Sequence, residues 1–481
     1  MRLSAGSTLA LAAIHLMMTA GPVHAQCVEG CVAIHTLIGE APGDQFGWEA
    51  RVLGDVDGDG LDDFIVSAPT NDAGGADAGR VYVFSGATGT ELFRITGTAA
   101  GGQFGFTSNG VGDVSGDGIP DFVVGAPVAT GRGRVTVHSG VDGSVMRTLL
   151  GEQNGDVFGY RAVGGGDLNG DGVPDLLISA ARRDATGVDA GRAYVYSGAD
   201  GTLLCFVDGE DGGDNLGSSL AFTGDLNGDG RSEFIVGADN AGPATTGRAY
   251  LYSYDGSTCT LLHTFSPGTP AFAYGQFFAD GGEDVDADGI PDFYVADFNV
   301  NRAYVYSGAN YQLLRTLIGN NNGGFGIGEI MPDIDNDGRA DLILAAWISN
   351  AGGTQAGRVF VYSGRTGAVL QTMTHNIAGA TFGFDAAGIG DLNADGRSDY
   401  LISAAWDAGQ RGTVYVIAGD VEPFLDTDLD FNGCVDLVDL SLLLADFGCA
   451  NGACAADIDE NGAVDLSDLS TVLGQFGMCR P

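Results

Sequence analysis

Positive charge is what this chain has least of: 21 lysines and arginines stand against 63 aspartates and glutamates, a formal net charge of −42. That balance excludes nucleic acid and anionic membrane surfaces as partners, because both require basic patches. Excess carboxylate asks for a cation instead. Histidine is scarce too, six residues with two of them (His15 and His24) near the N-terminus, and none sits in a metal or nucleophile arrangement. No HExxH, GxSxG or phosphate-loop pattern occurs. Beyond the N-terminus no long apolar run appears, so no membrane span is expected. What the chain does hold is glycine, 81 of 481 residues, alongside 44% hydrophobic residues. That supplies a buried core and is not the composition of a disordered tail. The length accommodates two or three ordinary domains, or one large repeat domain with a small companion.

The first residues, MRLSAGSTLALAAIHLMMTAGPVHAQ, place Arg2 ahead of a short apolar stretch that ends on the small-residue exit Val23-His24-Ala25. This is the pattern of a secretory signal cleaved after Ala25, which makes residues 1–25 a signal peptide and the remainder a soluble, secreted protein. Cys27 follows closely, but the residues before it do not form a lipoprotein box. All eight cysteines lie beyond the signal, and an even number in an oxidising compartment points to disulfides. Cys27 and Cys31 are one candidate pair, and Cys434, Cys449, Cys454 and Cys479 supply others. Spacing alone does not decide whether Cys205 and Cys259 pair.

One acidic phrase recurs seven times: DVDGDGLDD from Asp55, DVSGDGIPD from Asp113, DLNGDGVPD from Asp167, DLNGDGRSE from Asp225, DVDADGIPD from Asp284, DIDNDGRAD from Asp333 and DLNADGRSD from Asp391. The copies lie 54 to 59 residues apart, with one interval of 49. About nine residues before most of them stands Phe-Gly, as at Phe46-Gly47, Phe104-Gly105, Phe158-Gly159, Phe325-Gly326 and Phe382-Gly383. Leu216-Gly217 replaces it in the fourth unit, and YGQFF around Tyr274 blurs it in the fifth. After each acidic loop comes an apolar run such as FIVSAP, then GRVYVFSG or a relative, then a last short run such as ELFRITG. Four short β-rich runs per unit, punctuated by Gly, Asp and Ser, describe a propeller blade rather than a helical solenoid. Seven units predict an all-β, seven-bladed β-propeller over residues 26–420. The seventh unit stops after GTVYVIAG and lacks its fourth run, while AIHTLIGE from Ala33 matches the fourth runs of other units. The N-terminal strand is therefore expected to complete blade seven and close the ring, removing an open edge.

Phe-Gly, an acidic loop and then Gly-Ala-Pro (Gly125–Pro127, or Ser67–Pro69 in the first unit) resemble the FG-GAP repeat of the integrin α-subunit propeller, over roughly residues 33 to 420. The loop spacing puts oxygen ligands at positions 1, 3, 5 and 9 and a carbonyl at position 7, with glycine at position 6 to permit the sharp turn. Oxygen donors without His or Cys select Ca²⁺ over zinc or copper. The first copy offers Asp55, Asp57, Asp59 and Asp63 with the carbonyl of Leu61; the second offers Asp113, Ser115, Asp117 and Asp121 with Ile119. The third has Asp167, Asn169, Asp171 and Asp175 with Val173; the fourth has Asp225, Asn227, Asp229 and Glu233 with Arg231. The fifth has Asp284, Asp286, Asp288 and Asp292 with Ile290, and the sixth has Asp333, Asp335, Asp337 and Asp341 with Arg339. The seventh has Asp391, Asn393, Asp395 and Asp399 with Arg397. Ser or Asn at position 3 leaves less charge to hold an ion. Up to seven Ca²⁺ sites follow for the propeller. A set of acidic Asx-rich turns without metal is the alternative, and seven matching copies weigh against it.

From residue 421 the pattern changes. Asp428, Asp430, Asn432, Asp436 and Asp439, with the carbonyl of Cys434, precede Leu440, Leu443, Leu444 and Phe447 at helical spacing. Asp457, Asp459, Asn461, Asp465 and Asp468, with the carbonyl of Ala463, repeat this before Leu469, Val472, Leu473 and Phe476. Two such loop–helix units resemble the dockerin type I module, a paired EF-hand-like element, over residues 421–481. The resemblance implies two further Ca²⁺ ions and a cohesin-type partner; a Ca²⁺-stapled cap on the chain is the equal alternative. The unlike loops after the Gly-Ala-Pro runs should emerge on the face opposite the acidic loops, with Phe298, Trp347 and Trp406 near their starts. An aromatic cluster there would take an extracellular protein or glycan ligand; packing between blades is the structural alternative. The sequence thus reads as a secreted, calcium-binding, integrin-like propeller for binding or adhesion, not an enzyme. A propeller-type polysaccharide-active enzyme, or its carbohydrate-binding component, is the alternative.

Overall fold

A computed structural model of the chain describes residues 27–29, 31–242, 245–267, 274–319, 323–421, 427–429, 434–449, 456–458 and 463–478. The expected signal peptide lies outside the described residues. The strands assemble into seven separate antiparallel sheets, and consecutive units form consecutive sheets, as the repeat requires. Blades 1 to 5 each hold four sequential strands in meander order, spanning 50–96, 107–150, 158–208, 216–265 and 279–318.

The acidic loop joins the first strand of each blade to the second. Second strands such as Asp63–Ala68, Asp121–Ala126 and Asp341–Ala346 are buried along their whole length. They lie in mid-sheet with a neighbouring blade against each face, which is why FIVSA and LILAA read as continuous apolar runs rather than alternating ones. The hydrophobic clusters accordingly run between blades: Val124 of blade 2 packs with Ile65 of blade 1, and Tyr400 of blade 7 with Ile343 of blade 6.

The Phe-Gly and Gly-Arg signals are two halves of one latch. The glycine before each third strand pairs with the Phe-Gly position of the next blade, as Gly79 with Phe104, Gly133 with Phe158 and Gly357 with Phe382. Tyr274 takes the phenylalanine's place in the blurred fifth unit, opposite Gly247. Gly133 has a φ of +90°, and a Cβ there would meet the Phe158 carbonyl oxygen at 2.1 Å. Left-handed backbone and main-chain contact each forbid a side chain. Gly133→Ala should therefore cost about 2–4 kcal/mol from the two strains together, read as a lowered thermal midpoint. An unchanged midpoint would refute the latch.

Ring closure follows the expectation. Residues Ala33–Ile38 pair with Thr413–Ile417 as the outer strand of blade 7, Leu37 opposite Val414. Blade 6 carries a fifth strand that the repeat did not predict: Cys27–Glu29 adds to its outer strand, with Cys27 opposite His375. Cys205 and Cys259, undecided by spacing, are bonded to each other and tie the outer strands of blades 3 and 4 with Cα atoms 5.8 Å apart. Cys31, Cys434 and Cys449 are also disulfide-bonded; Cys454 and Cys479 lie outside the described residues.

Past the propeller stand two ten-residue helices, Leu437–Asp446 and Leu466–Gln475. Each starts with a capping box, Asp436 with Asp439 and Asp465 with Asp468, that satisfies the orphan amides of its first turn. Val435, Leu443, Ala456, Val464 and Val472 form their shared core. Asp430, Asn432, Asp459 and Asn461 lie outside the described residues. Among the described residues no helix is long and apolar enough to cross a membrane.

Acidic loops and an aromatic mouth

In each acidic loop the position 1 carboxylate gathers the turn. Asp55 accepts from the amides of Gly58, Asp59 and Gly60 at 2.6, 3.2 and 2.9 Å. The position 6 glycines have φ between +83° and +89°, which the wrap requires. The position 9 acid, fully buried, does more than face the loop. Asp63 accepts from Val56 and Asp57 at 2.8 and 3.2 Å, and also from Gly86 at 2.9 Å, past the end of the third strand. Asp121, Asp175, Asp292 and Asp341 repeat the arrangement with Gly140, Gly198, Gly308 and Gly364. Blade 4 has Ser253-Tyr254 in place of this Ser-Gly pair, and there the acid is the longer Glu233, which accepts from Leu226 and the Asn227 side chain.

Three loops bring three carboxylates to one point with oxygens within 4.8 Å of one another: Asp55, Asp57 and Asp63; Asp284, Asp286 and Asp292; and Asp333, Asp335 and Asp341. These are the copies with aspartate at position 3. In the other four, Ser115, Asn169, Asn227 and Asn393 bring a neutral oxygen instead. Burial raises the acid at position 9, Asp63 to about 6 and Asp341 to about 8, with Asp57 and Asp335 respectively adding like charge. Asp335 and Asp341 of the sixth loop are fully buried. An all-oxygen, like-charged, partly buried donor set of this kind fits a hard divalent cation of the Ca²⁺ type. In the C-terminal pair, Asp439 and Asp468 are fully buried, and each accepts from the backbone of its own cap at 2.7 and 2.8 Å.

On the ring axis the innermost residues form a belt that the repeat pattern did not reveal. The carboxylate of one blade accepts from the inner-strand backbone of the next: Glu49 from Ser108, Asp280 from Ile330, Glu329 from Gly388 and Asp385 from Ala50, at 2.5, 2.8, 2.8 and 3.0 Å. Arg51 pairs with Asp385 at 2.9 Å and Glu329 at 3.7 Å, and Arg161 with Glu49 at 2.9 Å. Burial pushes the Glu49 carboxyl up to about 7 against the pull of both arginines, and raises Asp280, Glu329 and Asp385 as well.

Above this belt, a 480 Å³ cavity opens among aromatic rings. Phe298, Trp347 and Trp406 line it, as expected from sequence, together with Trp48, Phe277, Phe278 and Phe384; Trp48 and Phe384 belong to a repeat position not singled out in the sequence. That position is the residue after Phe-Gly, where Phe106 and Tyr160 of the neighbouring blades continue the ring series beside the cavity. Trp48 sits 5.4 Å from Phe106 and 5.1 Å from Phe384, Phe106 lies 5.4 Å from Tyr160, and Phe384 lies 4.8 Å from Trp406. Phe277 extends the series from Tyr160 to Phe298, and Trp347 closes on Phe384 at 5.4 Å. All of these rings are half-buried. Arg161 lies 5.3 Å from the Phe277 ring centroid and 5.6 Å from that of Tyr160. Trp, Phe, Tyr and Phe at one repeat position of four units was the signal that would have found this ring series.

Residues 46–84, 105–138, 158–196 and 216–252 match the FG-GAP repeat, and residues 284–344 match the FG-GAP-like repeat. The chain is 33% identical over 219 residues to integrin alpha-5 of Xenopus laevis, a match covering 43% of this chain and 21% of that protein. It is 33% identical over 212 residues to integrin alpha-V of Gallus gallus, covering 41% and 20%. It is 35% identical over 175 residues to integrin alpha-PS2 of Drosophila melanogaster, covering 31% and 12%. The matched region therefore spans about a fifth or less of these relatives. Within residues 46–344 the chain thus carries FG-GAP and FG-GAP-like repeats, and over part of its length it is similar to integrin α-subunits.

Proposed function

We propose that this protein is a secreted, calcium-stabilised binding or adhesion protein that takes an extracellular protein or glycan in the aromatic mouth. The observation that carries the reading is the half-exposed ring wall. Aromatic side chains supply large contact area at low entropic cost and dominate recognition sites. Position 3 aspartates in the first, fifth and sixth loops support Ca²⁺ there, and the weaker copies extend the number to seven at most. The axial carboxylates speak against the enzyme alternative, because each is held by the backbone of the neighbouring blade. Residues 1–25 act in this reading as the export signal.

For the C-terminal pair, an observation favours docking on a cohesin-type partner over capping. Leu437, Leu444 and Phe447 of one helix unit and Leu466, Leu473 and Phe476 of the other are exposed at matching positions. Two Ca²⁺ ions would be held by the loops preceding the helices.

The test is retention on a panel of immobilised matrix proteins and polysaccharides, with product release followed in parallel. Trp347→Ala with Trp406→Ala should reduce retention tenfold or more, as loss of an aromatic anchor does, without altering the response of the thermal midpoint to Ca²⁺. Retention unaffected by the pair would overturn the mouth as the site. Product release abolished by substituting a carboxylate outside the loops would favour the enzyme.

A further inference from the structure

We propose that the outer edge of blade 4, Cys259–Phe265, is a second interaction surface, which accepts an extended, uncharged segment of a partner protein, flanked by basic residues, as an added strand. The outermost strand of a propeller blade presents unpaired backbone amides and carbonyls, and proteins guard such edges with charge, proline or a covering segment. This chain has no lysine, the commonest guard. Four of its outer strands carry other charges instead: Glu91 and Arg94 in blade 1, Arg147 in blade 2, Asp208 in blade 3 and Arg315 in blade 5.

Three outer strands are uncharged. That of blade 6, Val369–His375, is covered by the added strand Cys27–Glu29. That of blade 7, Ala33–Ile38, stays half-buried except at Ile38, and its His35 Nε2 bonds the Gly86 carbonyl oxygen of blade 1 at 3.0 Å. The strand of blade 4, CTLLHTF, has neither device. Its residues Thr260, Leu261, Leu262 and His263 are exposed in succession, and among the described residues nothing pairs with its outer side. The edge is also held in place beforehand. The Cys205–Cys259 disulfide anchors its start, and His263 packs 4.6 Å from Phe265 and 5.5 Å from Tyr311 of blade 5. Preorganisation of this kind lowers the cost of ordering on binding.

Blade 6 shows that a short extended segment does add to an outer edge of this ring. Charge selects the occupant. A second copy would bring two chains of −42 together, whereas basic flanks on a foreign segment meet a favourable field.

Hydrogen–deuterium exchange on the full chain in Ca²⁺ tests the inference. The probe is a synthetic peptide of alternating Val and Thr flanked by two arginines at each end, and the control carries proline at alternate positions. The amides of residues 260–264 that point away from strand Arg248–Tyr254 should exchange fast in the free protein and at least tenfold more slowly with the probe, with no slowing under the control. Leu261→Lys with His263→Lys should weaken binding tenfold or more at an unchanged thermal midpoint. Slow exchange of the outward amides before the probe is added would show an edge already covered, by the chain itself or by a second copy, and would overturn the proposal. So would equal protection of the charged edge Glu91–Thr96, protection by the proline control, or unchanged affinity in the lysine pair. The exchange map decides the matter even if the double variant does not fold.

Discussion

Removing divalent cations with EDTA is expected to lower the thermal midpoint on the order of 10 °C. An ion that binds only the folded chain stabilises it by about 2.7 kcal/mol when its free concentration is a hundred times the dissociation constant. Three such sites contribute roughly 8 kcal/mol, and a chain of this size moves by somewhat less than the ~2–4 °C per kcal/mol of a 150–250-residue domain. The three are the first, fifth and sixth loops, where three carboxylates converge. Without a cation these loops concentrate like charge around buried acids, and burial pushes Asp341 up to about 8. Combining Asp57→Asn, Asp286→Asn and Asp335→Asn gives these loops the composition already present at Asn169, Asn227 and Asn393. The triple variant should lose most of the calcium-dependent increment while folding into the same ring. A melting curve indifferent to EDTA would sink the calcium assignment. A full increment retained in the triple variant would relocate it to other loops.

Arg51→Leu is expected to cost about 3–5 kcal/mol at pH 8, because removing one partner of a buried ion pair leaves the other charge uncompensated. Here the stranded groups are Asp385 and Glu329. The loss should shrink at pH 5, where Glu329, pushed up to about 8 by burial, carries a proton instead of standing unpaired. The wild-type chain should follow the same direction more weakly. Burial raises Glu49 from its ordinary 4.5 to about 7, so the folded state holds that proton more tightly than the unfolded one. The contribution to stability is complete below about 4.5 and is lost as pH rises through about 7. Thermal midpoints at pH 5 and pH 8 in saturating Ca²⁺, for wild type, Arg51→Leu and Arg51→Lys, separate these effects. An equal penalty at both pH values would show that Arg51 acts through packing rather than charge.

Much of the ring was legible because its signals are local and repeated. The acidic turn, the apolar second strand and the Gly-Arg start of the third recur in one order, and each is a statement about a few neighbouring residues. Even closure was readable, since Ala33–Ile38 resembles the missing outer strand of blade 7. Readings failed or stayed open where a single residue serves two distant partners. Asp63 was assigned to the loop alone, yet it also binds Gly86 beyond the third strand. Cys205 and Cys259 are separated by 54 positions in sequence and face each other only because adjacent blades present the same strand side by side.

By itself, then, the amino-acid order determined the blade, its number and its acidic loops, because hydrogen-bonded turns and strand patterning depend on neighbours along the chain. Only the closed ring decided which side chains share a space. Trp48, Phe106, Tyr160 and Phe384 come from four different blades, and Glu49, Asp280, Glu329 and Asp385 from four as well. They meet because a ring turns the same position of every repeat toward one axis, and that convergence has no trace in the spacing of residues along a strand.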